Sequence, residues 1–144
     1  MNRPIRLGMV GGGEGAMIGN VHRIAARLDG RFDLIAGALS SDETRAAESA
    51  RALGITRSYG DFRQMARDEA ARPDGIEAVS VCTPNHLHEP VSRAFLEQGI
   101  HVICDKPMTA TLDQAQALAD LAGRSDALFI LTHNYSAYPQ IRQA

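Results

Sequence analysis

Neither sign of charge is in excess in this chain. Its 15 Lys and Arg stand against 17 Asp and Glu, interleaved, for a formal net charge of −2. That balance removes any electrostatic argument for binding nucleic acid or an anionic membrane. Long hydrophobic runs are also missing. No apolar segment approaches the roughly 20 residues of a transmembrane helix. Met1-Asn-Arg-Pro has no signal-peptide core behind it. Cysteine is scarce: Cys82 and Cys104 each end an apolar run, which predicts buried, reduced thiols and a cytoplasmic location. There is no internal repeat, low-complexity tract or interdomain linker. What remains is 144 residues, 44% hydrophobic and 22% charged, the balance of one ordinary globular domain.

Glycine is concentrated at the start. Ile5–Val10 runs into Gly11, Gly12, Gly13, Gly15 and Gly19, and the segment leaves as a helix-periodic stretch. Strand, glycine turn and helix together place backbone N–H groups and a helix N-terminus against a phosphate. The loop reads in two registers. Gly11-x-Gly13-x-x-Ala16 fits the dinucleotide fingerprint, whose third position tolerates alanine. In the other register Gly19 lets the helix pack on its strand after a longer loop. A mixed reading gives Gly11 and Gly13 the tight turn, while Ala16, Met17 and Ile18 open the helix under a pyrophosphate. A P-loop is excluded, because Gly19-Asn20-Val21 supplies neither its lysine nor its hydroxyl. Gly11-x-Gly13-x-Gly15 also resembles the loop of S-adenosylmethionine-dependent methyltransferases. Those carry an acidic residue just before the loop, where this chain has Met9 and Val10.

Further apolar runs at Phe32–Ala38, Ala78–Cys82, Ile100–Cys104 and Ala127–Thr132 read as strands. Most are continuous, the pattern of strands covered on both faces of a parallel sheet. Met17, Ile18, Val21, Ile24, Ala25 and Leu28 share one helix face. Val91, Ala94 and Phe95 share another, and Leu112, Ala115, Leu118, Ala119 and Ala122 a third. Ser40-x-x-Glu43 and Thr111-x-x-Gln114 read as capping boxes, with Asp61-x-x-Gln64 a looser version. Residues 54–76 predict a turn, a helix to about Arg67 and a polar connector. The alternation predicts a doubly wound, three-layer α/β/α parallel sheet.

Ligands of such sheets sit beyond the carboxyl ends of the strands. At the second strand end, an NAD-binding fold places Asp or Glu where this chain has Ser40, followed by Ser41 and Arg45. Small hydroxyls with an arginine nearby accommodate a 2′-phosphate, so the cofactor reading leans to NADP over NAD. Ser40 also serves as a helix cap, and Arg45 as a solvated helix residue, in the blander reading. After Cys82 comes Thr83-Pro84-Asn85-His86-Leu87-His88, and after Cys104 comes Asp105-Lys106-Pro107. His86 and His88 with the two cysteines suggest a metal cluster, but Pro84 and Pro90 break the local geometry and no second close pair exists. No metal is expected.

The glycine loop, the Thr-Pro-Asn-x-x-His segment and the carboxylate-Lys-Pro triplet, in this order, resemble the Gfo/Idh/MocA oxidoreductase family over essentially the whole chain. The closing Thr-His-Asn-Tyr-Ser-Ala-Tyr-Pro belongs to the same likeness. The resemblance implies a Rossmann domain and hydride transfer between NAD(P) and a sugar, polyol or related alcohol. It implies that Thr83, Pro84, Asn85 and His88 line the cofactor, with Asn134 and Tyr135 near the same cleft. Asp105, Lys106 and Pro107 would stand beside the nicotinamide, with a cis peptide before the proline and Lys106 directed at the substrate oxygen. Two departures stand out: the triplet begins with Asp105 where the family has Glu, and Ser40 replaces the usual acidic residue. The family carries a second, substrate-binding domain. Residues 1–132 are therefore expected to be the dinucleotide-binding domain. Residues 133–144 would start the connection to a C-terminal domain missing from this chain, without which turnover is not expected. The rival reading is a non-catalytic dinucleotide-sensing domain. No nucleic-acid or membrane partner is expected, and the full-length protein would be a homo-oligomer candidate.

Overall fold

The computed structural model describes residues 3–144. Six strands form one wholly parallel sheet: β1 Ile5–Gly11, β2 Phe32–Ala38, β3 Arg57–Ser58, β4 Ala78–Cys82, β5 His101–Asp105 and β6 Phe129–Thr132. Their spatial order is β3-β2-β1-β4-β5-β6. The chain moves outward from β1 to β3, then restarts on the other side of β1 with β4. The crevice between β1 and β4 is the switch point where such folds bind ligands. The helices are α1 Met17–Arg27, α2 Glu43–Ala52, α3 Phe62–Ala70, α4 His88–Leu96, α5 Leu112–Arg124 and a short α6 Pro139–Gln143.

Side-chain alternation along the strands makes two cores. Val10, Val79, Val81, Val102 and Cys104 meet Met65 of α3, Val91 and Phe95 of α4, and Leu118 of α5 on one face. Met9, Leu39 and Cys82 meet Ala50 of α2, Ile55 and Ile18 on the other. The result is the three-layer arrangement expected from the alternation.

The departures are local. Ser40 does not cap α2. Its hydroxyl accepts from the Asp42 amide at 3.1 Å, and the Asp42 carboxylate caps the helix by accepting from Arg45 N at 2.8 Å. Two short polar side chains thus act in series, which moves the helix start two residues on. Asp61 and Thr111 cap α3 and α5 as the spacing predicts, accepting from Gln64 N and Gln114 N. Helix α3 runs on to Ala70, past Arg67, because Glu69 is buried on its inner face. Only Leu118 of the α5 stripe is buried, while Leu112 is 75% exposed.

Helix α1 departs most. Its apolar stripe is not the face packed on the sheet: Met17, Val21, Ile24 and Leu28 are exposed, and Gly19 and Arg23 are the buried positions. The contact of Gly19 with Gly12 sets the rotation of the helix. Of the stripe, Ile18, Val21 and Ala25 line an open cavity of about 330 Å³ beside β4, β5 and β6.

Candidate functional site

Strand register brings the ends together. Gly11 of β1 pairs with Cys82 of β4, Val81 with Cys104, and Asp105 of β5 with Thr132 of β6. The glycine loop, the Thr83 loop and the Lys106 loop therefore leave the same edge of the sheet side by side.

In the glycine loop, Gly11 and Gly12 take φ of +70° and +66°, which L side chains rarely adopt. A Cβ on Gly11 would stand 2.8 Å from the Cys82 carbonyl oxygen, and one on Gly19 would overlap the Gly12 backbone. Gly13 has no positive φ and lies against Ser49 and the Leu39 carbonyl. The tight turn is thus at Gly11–Gly12, and the close helix packing belongs to Gly19, as the longer-loop register supposed. Ala16 is the N-cap of α1 and offers no side-chain acceptor, so the first-turn N–H groups of Met17 and Ile18 are not capped by a side chain. Beneath the loop, buried Arg23 donates to the Gly12 carbonyl and makes no ion pair among the described residues. A guanidinium held there adds positive potential under the helix N-terminus.

The loop abuts the end of β2 at Leu39, and Glu14 N donates to Ser49 Oγ of α2 at 3.2 Å. Ser40 and exposed Ser41 and Arg45 stand at that end. The Arg45 guanidinium makes no hydrogen bond or ion pair among the described residues.

Across the crevice, Pro84 and Asn85 are exposed, and Thr83 Oγ1 is buried with no hydrogen-bond partner. An orphaned buried hydroxyl carries a desolvation cost of about 1–3 kcal/mol unless something completes it. His88 lies deeper, 1% exposed, with both ring nitrogens facing backbone carbonyls.

At the end of β5 the Lys106–Pro107 peptide is cis. Asp105 accepts from Thr132 Oγ1 at 3.0 Å, and His22 Nε2 lies 3.7 Å from the same carboxylate. His22 Nδ1 is 2.8 Å from Ser80 Oγ. Burial pushes the His22 imidazole below its ordinary value, partly offset by Asp105. Lys106 is exposed and lines the cavity with Asp105, His22, Ser80, Thr132 and Asn134. Ser80, Thr132 and Arg23 are the polar residues that sequence reasoning passed over, and His22 reads from sequence only as a helix residue packing near the loop. A serine inside an otherwise apolar β4 and adjacent His and Arg in α1 were the available signals.

The cysteines stand apart from this chemistry. Burial pushes Cys82 up to about 11 and Cys104 up to about 12. Both are free and buried. Native protein at about pH 8 is expected to resist iodoacetamide at both positions, with alkylation following unfolding; rapid modification by mass spectrometry would contradict this. Among the described residues no group of three or more His, Cys, Asp or Glu could hold a metal.

Residues 5–134 match the Gfo/Idh/MocA family, described as an oxidoreductase family with an NAD-binding Rossmann fold. The chain belongs to this family. A crystal structure of an oxidoreductase from Sinorhizobium meliloti is 56% identical, with a TM-score of 0.92 over 99% of this chain and 40% of that one. An inositol dehydrogenase homologue from Azotobacter vinelandii, solved with NAD+, is 43% identical, with a TM-score of 0.92 over 99% of this chain and 37% of that one. The levoglucosan dehydrogenase of Pseudarthrobacter phenanthrenivorans is 31% identical over 97% of this chain and 36% of its own length. This Gfo/Idh/MocA domain therefore spans well under half the length of the relatives it matches. It is an NAD-binding Rossmann domain of the oxidoreductase family, and none of its described helices is long and apolar enough to cross a membrane.

Proposed function

We propose that this domain supplies the nicotinamide-dinucleotide half of a hydride-transfer site acting on a sugar, polyol or related alcohol. One observation carries the reading: a glycine cradle, an orphaned buried threonine hydroxyl and a carboxylate-lysine pair share one end of the switch-point crevice. The residues fit a dinucleotide. Gly11, Gly13, Ala16, Met17 and Ile18 would hold the pyrophosphate on backbone N–H groups and the α1 dipole. Thr83, Pro84, Asn85 and Asn134 would line the nicotinamide side, where Thr83 Oγ1 would gain its missing partner.

When bound, the nicotinamide supplies the hydride chemistry. Lys106 would place its ammonium where negative charge develops on the substrate oxygen, and would take or return the hydroxyl proton. Asp105, fixed by Thr132 and flanked by His22, would orient that lysine and Pro107. Groups that grip the substrate carbon are not among these residues, so the 144-residue chain binds cofactor without turnover.

The adenosine side decides the cofactor. Ser40 Oγ and the unengaged Arg45 guanidinium favour a 2′-phosphate, while Asp42, committed to capping α2, weakens that preference. An exposed charge pair is worth about 0.2–1 kcal/mol, so NADPH is expected to bind about two- to fivefold tighter than NADH. Fluorescence titration of both checks it. Equal affinity or an NADH preference defeats the 2′-phosphate assignment, and failure of both to bind defeats the dinucleotide reading. A melting temperature raised by S-adenosylmethionine but not by NADPH would mark a methyltransferase-type site instead.

A further inference from the structure

His88 opens α4, yet its ring reaches two different strand ends. Nε2 lies 2.9 Å from the Thr83 carbonyl oxygen and Nδ1 lies 2.6 Å from the Pro107 carbonyl oxygen. Carbonyl oxygens only accept, so each contact is a hydrogen bond when the nitrogen carries a hydrogen. We propose that His88 is a positioning residue whose ring, set between these two carbonyls, ties the Thr83–Asn85 loop to the Lys106–Pro107 loop.

The backbone leaves this task undone. The β4–β5 ladder ends at the Val81–Cys104 pair, and beyond it no strand pairing holds the two loops together. Among the described residues, no other hydrogen bond joins 83–88 to 105–109. The ring is almost wholly enclosed, so water does not compete for either carbonyl. The consequence is geometric: the Thr83 carbonyl and the Pro107 carbonyl, one residue past Lys106, are set against one rigid five-membered ring. A 1 Å error between two such groups can cost about 100-fold in a reaction that depends on their relative placement.

The purpose given to this strap rests on the dinucleotide reading above, while its geometry does not. Long-range 1H–15N spectra of the 144-residue chain near pH 7 read both ring nitrogens directly. A ring N–H protected from exchange is expected, and a ring with no protected N–H overturns the strap. His88→Leu keeps the bulk and removes the donors. It is expected to weaken NADH binding about tenfold, the scale of one net hydrogen bond, and to shift the amides of Asn85 and Lys106. Phe95→Leu, buried in the same helix, is the control for lost packing and is expected to leave affinity unchanged. Equal affinity for the two variants, measured where both are folded, overturns the positioning role. A parent chain with the protected ring N–H but no affinity for NADH or NADPH supports the strap and rejects the function proposed above.

Discussion

Glu69→Ala is expected to lower stability by about 3–5 kcal/mol, the cost of stranding one member of a buried ion pair. At this chain length the loss corresponds to a fall of roughly 10–17 °C in melting temperature. The Glu69 side chain is fully buried on α3. Its carboxylate accepts from Arg57 Nε and Nη2, both at 2.7 Å, from Tyr59 OH at 2.8 Å and from Ile76 N at 3.0 Å. Strand β3, helix α3 and the entry to β4 are thereby joined at one group. Truncation leaves a phenol and an amide without their acceptor at once, and leaves the Arg57 guanidinium with Asp74 alone. Removing both charges, as Arg57→Met with Glu69→Leu, is expected to cost much less than Glu69→Ala alone, and calorimetry of the two variants decides the point.

The pH dependence has a definite sign. Burial pushes the Glu69 carboxyl up, but the hydrogen bonds from Arg57, Tyr59 and Ile76 outweigh it and hold the group below the ordinary carboxylate range. A carboxylate depressed in the folded state stabilises fully above its unfolded value of about 4.3, and that stability is lost as pH falls through the folded value. Tyr59, pushed up to about 12 by burial and by Glu69, remains a donor throughout. The difference between the parent chain and Glu69→Ala should therefore shrink on acidification below about pH 4 and persist at neutral pH. A difference that grows on acidification contradicts the ion-pair account.

This network was invisible in the sequence. Arg57, Tyr59 and Glu69 lie in a stretch where no apolar period marks an element, and β3 is two residues long. A strand of Arg and Ser shows neither alternation nor an apolar run, so only tertiary pairing with Ala36 and Gly37 defines it. The long apolar strands were legible because burial on both faces writes directly into composition. Val79 and Val81 are fully enclosed, and Ser80 beside them is also buried. The same rule overreached at β6. Ile130 is 48% exposed, because no described helix packs over β6 on that side of the sheet. The α1 stripe misled for a related reason. Apolar periodicity marks an apolar face without saying what it packs on, and Val21 lines the open cavity instead of the packed core.

The candidate site was legible where it depends on residue type at a strand end. Thr83, Asp105 and Lys106 follow apolar runs, and parallel register carries them to one edge. What the sequence left open was depth. Pro84 and Lys106 sit at the surface of the crevice, while His88, four residues beyond Pro84, is sealed beneath it. A motif gives spacing, but a 3₁₀ turn at Asn85–Leu87 followed by a helix decides which side chains point inward.

Gly19→Ala is expected to weaken dinucleotide binding about 100-fold and to cost about 1–3 kcal/mol of stability. The added Cβ would overlap both the carbonyl oxygen and the Cα of Gly12. Both obstacles are backbone, so no side-chain rotation relieves them. Helix α1 must withdraw, and a shift of about 1 Å carries the Met17 and Ile18 N–H groups away from the phosphate they would hold. Gly15→Ala is the matched control. Gly15 takes φ of +79°, so alanine there carries left-handed backbone strain of about 1–2 kcal/mol, yet nothing lies within 4 Å of its Cβ. The two variants thus suffer comparable losses of stability for different reasons, and only one displaces the helix. Melting curves with and without saturating NADPH separate them. At 100 times its dissociation constant a ligand stabilises by about 2.7 kcal/mol, a gain expected for Gly15→Ala and the parent chain but nearly absent for Gly19→Ala at the same concentration. Full ligand stabilisation of Gly19→Ala would place the phosphate site elsewhere than the start of α1.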